Sequence, residues 1–213
     1  MIIPTIFKPM IIKHLIIIFV SIAIASCSDH AKLVPLAPNT IVLAFGDSLT
    51  YGTGTSRDKA YPAVLESLIH YSVINAGVPG EISKKGLQRL GGLIDRYRPG
   101  LIIICHGGND ILRKLDIKQT SNNIQQMIDL ARQNNSQVVL IGVPEFGLFL
   151  DSSPIYQQLA DKNQLPIEND IVGDILGNNA LKSDHIHPNT KGYQLLAESI
   201  TALLRQAGAL AKN

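Results

Sequence analysis

"IVLAFGDSLT", residues 41–50, is an apolar run that breaks at Gly46 and leaves Asp47, Ser48 and Thr50 at its exit. The run Ile41–Phe45 has no polar alternation, so a strand made from it must be buried on both faces, as in a parallel sheet covered by helices on either side. Three more short runs share this character: Ser72–Asn75, Leu101–Cys105 and Val138–Ile141, rich in Val and Ile and bounded by Gly, Asn or Pro. Between and after them lie amphipathic stretches of helical period, Tyr61–Tyr71, Ser83–Tyr97, Ser121–Asn134 and Asn189–Ala207. "SPIYQQLADKNQLPI" adds a helix running into a short strand, and "NDIVGDILGNNALKSD" a broken helix and loop. Strands alternating with helix-length crossovers predict an α/β fold: a three-layer αβα sandwich around a central parallel sheet of about five strands.

Ligands of such sheets sit beyond the carboxyl ends of the strands. There the sequence reads "FGDSLT", "NAGVPGE", "HGGND" and "GVPEFG", glycine and polar residues in every case. Ser48 alone is ambiguous. A serine between strand and helix ordinarily caps the helix, and Thr50 stands where a Gly-x-Ser-x-Gly nucleophile elbow needs its second glycine. "SDHIHPNTKGY" supplies what a nucleophile lacks: Asp184 and His187 fall within one turn, just before the last helix. A carboxylate that accepts the imidazole Nδ1 proton leaves Nε2 free to take one from a serine. The plainer role for that Asp is again a helix cap. Asn109 in "HGGND" carries an amide donor, and Gly80 in "NAGVPGE" can present a bare N–H, with Gly77 as a competitor for that role. With the Ser48 N–H they make three donors for a tetrahedral oxyanion.

The ordered blocks "GDSLTYG", "NAGVPGE", "GGND" and "DHIHPN" resemble those of the GDSL or SGNH hydrolase family, from about Ile41 to Leu203. Within it they are similar to the bacterial thioesterase I, arylesterase and lysophospholipase branch. The resemblance implies an SGNH (flavodoxin-like) fold and a serine esterase acting through an acyl-enzyme. It further implies Ser48 as nucleophile, His187 as general base and acid, Asp184 as its orienting partner, and Ser48 N–H, Gly80 N–H and Asn109 as the oxyanion hole. It calls for no metal and no cofactor. Asp47 and Asp110 are read as structural partners of their loops.

Rival readings stay open at this stage. "GD", "GGND" and "HIH" echo fragments of a metallophosphoesterase, with Asp47, Asn109, Asp110, His106, His185 and His187 as imagined ligands, yet the apolar first strand lacks the Asp-x-His that such a site needs. A carbohydrate O-acetyl esterase on the same fold and a non-catalytic, tethered binding protein are the others. Ile111, Leu112 and Phe146 are candidate lining for an acyl groove, which favours fatty or aromatic acyl esters. With no Trp in the chain, a platform for sugars is thin.

The amino-terminal part reads differently. From Met10, a candidate start alongside Met1, "MIIKHLIIIFVSIAIASC" has a positive n-region, a short apolar run and a small-residue exit. "IASC" resembles the lipobox of bacterial lipoproteins and makes Cys27 a candidate for lipidation, which would hold the protein on the periplasmic side of a membrane. Ser28, rather than aspartate, leans to the outer membrane; without lipidation the protein would be periplasmic or secreted. The predicted organisation is a signal peptide over 1–27, a tether over 28–40, the hydrolase domain over 41–207 and a tail over 208–213. Of the two cysteines, Cys105 lies in an apolar strand and is read as a buried small hydrophobe, so no disulfide is expected. A formal charge of +2 without a basic run gives no reason to expect nucleic acid. Expected partners are therefore an ester or lipid substrate and, through Cys27, a membrane; oligomeric state is left open.

Overall fold

A computed structural model of the chain describes residues 31–145, 147 and 150–210. In chain order the elements are β1 (Val42–Gly46), α1 (Ser48–Tyr51), α2 (Tyr61–Ile69), β2 (Val73–Gly77), α3 (Ser83–Tyr97), β3 (Leu101–Cys105), α4 (Gly108–Leu112), α5 (Ile117–Gln133), β4 (Gln137–Ile141), α6 (Pro154–Asn163), β5 (Ile167–Glu168), α7 (Ile171–Gly177) and α8 (Thr190–Gln206). All strand pairs are parallel, in the order β2-β1-β3-β4-β5. This is the flavodoxin-like order, and the expected αβα sandwich of five strands is present.

The layers follow from right-handed crossovers. The chain leaves β1 toward β2 through α2, then reverses direction across β1 to reach β3 and β4. The reversal puts α3 and α5 on the opposite face, where they pack together and α6 joins α5, while α8 returns to pack on α2. Every residue of β1 and β3 is buried, which is why their sequences carry no alternation. The edge strand β2 is buried fully only at Val73. Because the chain leaves β1 to one side and β3 lies on the other, a crevice opens beyond their carboxyl ends.

Two boundaries expected from the sequence move. Residues 28–40 were expected to form a tether, but Leu33 N–H donates to Ala207 O at 2.7 Å and Leu36 N–H to Ala209 O at 2.9 Å. Leu36 is buried in the core, and the Gln137 side-chain amide pairs with both the N–H and the C=O of Val34. Residues 33–36 thus form a strap bound at the amino end of the sheet. The tail expected from residue 208 is likewise integrated as far as Leu210, with Ala209 buried. The expected signal peptide, residues 1–27, and with it Cys27, lie outside the described residues.

Candidate active site

Asp47, rather than Ser48, caps α1. Its Oδ1 accepts the Leu49 N–H at 3.1 Å, so Ser48 is the first helical residue and its hydroxyl is free for another use. That hydroxyl lies 3.0 Å from His187 Nε2. The cap reading of Asp184 fails in the same way: α8 is capped by Asn189, which accepts from the N–H groups of Lys191 and Gly192. Asp184 Oδ1 accepts the N–H groups of Ile186 and His187, each at 2.8 Å, and Oδ2 faces His187 Nδ1 at 2.8 Å. The carboxylate must accept, so Nδ1 carries the proton and Nε2 accepts the Ser48 hydroxyl proton. Partial burial opposes ionisation of Asp184, but the hydrogen bonds from the His187 ring and the backbone prevail and hold its carboxyl below the ordinary range. An ionised partner is therefore in place for an imidazolium.

Ser48 and His187 are brought together by a stitched pair of loops. Tyr193, in the first turn of α8, donates from its hydroxyl to Thr53 O at 2.8 Å, and Thr55 Oγ1 lies 2.7 Å from Thr190 Oγ1. Both contacts tie the loop after α1 to the start of α8, and His187 sits just before that start.

The donors lie on the neighbouring loops. Val78-Pro79-Gly80-Glu81 forms a β-turn, closed by Glu81 N–H donating to Val78 O at 3.2 Å, with Gly80 at φ +75°. Proline at the second position and positive φ at the third define a type II turn, the backbone that glycine adopts without strain. The Gly80 N–H belongs to the turn's middle peptide and, among the described residues, has no protein acceptor. Gly77 is set aside as its rival. Its N–H is spent on Asn75 Oδ1 at 3.0 Å, and it packs so closely on α1 that an added Cβ would stand 2.1 Å from Tyr51 N. Asn109 gives one amide proton to Asp47 Oδ2 at 3.3 Å, which leaves its second N–H available. Burial raises the Asp47 carboxyl above its ordinary range, against the opposing pull of His106, the Leu49 N–H and Asn109. Asp110 is turned away from the crevice, accepting from Ser83 N–H at 2.7 Å and Ser83 Oγ at 2.6 Å, and so ties α4 to the start of α3.

The ligands imagined for a metallophosphoesterase do not converge. His106 faces Glu81, Asp110 faces Ser83, and among the described residues no group of three His, Cys, Asp or Glu side chains is arranged to hold a metal. Cys105 is a buried free thiol, which burial pushes well above its ordinary pKa. Of the candidate acyl lining, Ile111 packs partly against the core and Leu112 is exposed, while Phe146 lies outside the described residues. The sequence reading missed Leu115 and Ile117, exposed like Leu112. A cleft of about 540 Å³ has Ile117 in its wall, together with Glu145, Pro154 and Ile155.

Fold and crevice together define a hydrolase of the serine type on a parallel αβα scaffold. Residues 44–195 match the GDSL-like Lipase/Acylhydrolase family, and the chain belongs to it. It is a carboxylic ester hydrolase. The esterase TesA of Pseudomonas aeruginosa is 27% identical over 198 residues, covering 87% of this chain and 98% of that protein. The thioesterase 1/protease 1/lysophospholipase L1 of Escherichia coli is 29% identical over 165 residues, with 74% and 79% covered. A crystal structure of TesA superposes with a TM-score of 0.71 at 25% identity, covering 79% of this chain and 99% of that one.

Proposed function

We propose that the protein hydrolyses carboxylic or thio-esters of acyl chains in two acyl-transfer steps, with Ser48 as nucleophile. Ser48 Oγ attacks the carbonyl carbon while His187 Nε2 takes its proton. The carbonyl oxygen becomes an oxyanion facing the N–H groups of Ser48 and Gly80 and the Asn109 amide. Collapse expels the alcohol or thiol, protonated by His187, and leaves an ester on Ser48. Water, deprotonated by the same imidazole, then releases the acid and restores the serine. Asp184 fixes the imidazole and stabilises its charged form throughout. The observation that carries this reading is the unbroken run Ser48–His187–Asp184, at 3.0 and 2.8 Å.

Arylesters, lysophospholipids and acyl thioesters are the substrates in view, by likeness to the relatives. The acyl chain would lie over Ile111 and Leu112 toward Leu115 and Ile117, burying methylenes worth about 0.8 kcal/mol each. A p-nitrophenyl alkylphosphonate tests the nucleophile directly. Loss of one nitrophenol per chain with the added mass on the Ser48 peptide is expected; an adduct on any other residue, or none, would overturn the assignment.

The reading extends to location. Cleavage before Cys27 and its lipidation would hold the enzyme on the periplasmic side of a bacterial membrane, by preference the outer one. Mass spectrometry of the membrane fraction is expected to find an acylated amino-terminal Cys27 peptide, and an unmodified Cys27 in a longer peptide counts against it.

A further inference from the structure

Behind the two loops that carry Gly80 and Asn109 lies a charged cluster that the chemistry above does not use. Glu81, whose N–H closes the type II turn, is nearly buried. Its carboxylate accepts Arg89 Nε at 2.9 and 2.8 Å and meets Arg89 Nη2 at 2.7 Å. Arg89 also donates to Gly46 O at 3.1 Å and Ala76 O at 2.9 Å, and its guanidinium stacks 4.3 Å over the Phe45 ring. The same carboxylate stands 3.1 Å from Nε2 of His106, which is wholly buried. His106 Nδ1 accepts the Gly107 N–H at 3.0 Å, so the proton of a neutral ring is on Nε2 and is donated to Glu81. Gly86 of α3 makes room for that ring: a Cβ there would stand 2.3 Å from Nε2. A third tie, Arg113 Nη2 to Gly80 O at 2.8 Å, holds the turn from its outer side.

We infer that Glu81 and His106 are positioning residues for the oxyanion hole: their hydrogen bond locks the turn that presents the Gly80 N–H to the loop that presents Asn109. His106 leads directly through Gly107 and Gly108 to Asn109, and Glu81 directly follows Gly80. The bond therefore joins the two donor loops one residue from Gly80 and three residues from Asn109. An apolar residue at 106 would fill the space without making the tie. Since donor placement counts most when the oxyanion has formed, its loss should fall on kcat rather than on substrate binding.

The inference rests on the proposed acyl-transfer reading and is tested on the full chain with His106→Leu, His106→Gln and Glu81→Gln. For p-nitrophenyl butyrate, His106→Leu is expected to lower kcat by about 10- to 100-fold with KM nearly unchanged. The inhibition constant of an alkyl trifluoromethyl ketone, whose serine adduct carries an oxyanion, should rise in proportion. His106→Gln should recover most of the loss, because its amide nitrogen reaches the place of Nε2 and can donate to Glu81. Should the leucine variant fail to fold, Glu81→Gln, which cannot serve Arg89 and His106 equally, reads the same quantities. A kcat within about twofold of the parent in the folded variants, a loss confined to KM, or an unchanged ketone constant would overturn the inference. Failure of the acyl-transfer reading is separate, since it shows as phosphonate label missing from Ser48 in the parent protein.

Discussion

Ser48→Ala is expected to lower kcat/KM for p-nitrophenyl esters by about 10⁴-fold or more, while thermal stability stays close to that of the parent. The two halves of this result depend on different residues. Activity falls because the hydroxyl 3.0 Å from His187 Nε2 is the group that, in the proposed mechanism, forms the acyl-enzyme. Stability holds because α1 is capped by Asp47, through its bond to the Leu49 N–H, and alanine is a favourable helical residue. Steady-state kinetics and a melting curve on one preparation check both. A loss smaller than about tenfold would overturn Ser48 as the nucleophile.

Asn109→Ala is expected to cost about 10²- to 10³-fold in kcat, the usual effect of removing one oxyanion donor, with KM little changed. This variant should also lose stability, and in a pH-dependent way. Asn109 donates to buried Asp47, whose carboxyl is already raised by burial, so removing the donor raises it further. A carboxyl raised in the folded state holds its proton more tightly there than in the unfolded chain. Its contribution to stability therefore declines as pH climbs from the ordinary carboxylate value through the raised one. The deficit in melting temperature relative to the parent should be larger at pH 8 than at pH 4. An equal deficit at both would show that Asp47 does not depend on Asn109.

The sheet was legible because burial leaves a direct trace: β1 and β3 are covered on both faces, and their runs contain nothing polar. The candidate site was legible because Ser48, Gly80 and Asn109 follow successive strands, where glycine and polar residues interrupt apolar runs, and because Asp184 and His187 fall within one turn just before α8. The sequence was silent where contacts run through the backbone. Nothing in "SDHAKLVPLAPNT" announces that Leu33 and Leu36 will bond the end of α8, so a docked strap looked like a linker. α5 starts at Ile117, before the Ser121 its apolar period suggests, for a related reason: Asp116 caps it by accepting the Lys118 N–H. His106 could be found only as a polar residue ending an apolar strand. That signal suits a metal ligand as well as a buried tie, and only the proximity of Glu81 tells them apart.

The seam between the loop after α1 and the start of α8 bears on how the protein acquires its activity. Ser48 and His187 are separated by 139 positions, and Tyr193 and Thr53 by 140. Contacts so distant along a chain carry a large loop-closure cost and form late. In the proposed mechanism, Ser48 is thus made early in synthesis and lacks its base until α8 docks. Turnover becomes a report on completed folding, and a nascent or truncated chain cannot act on the esters around it.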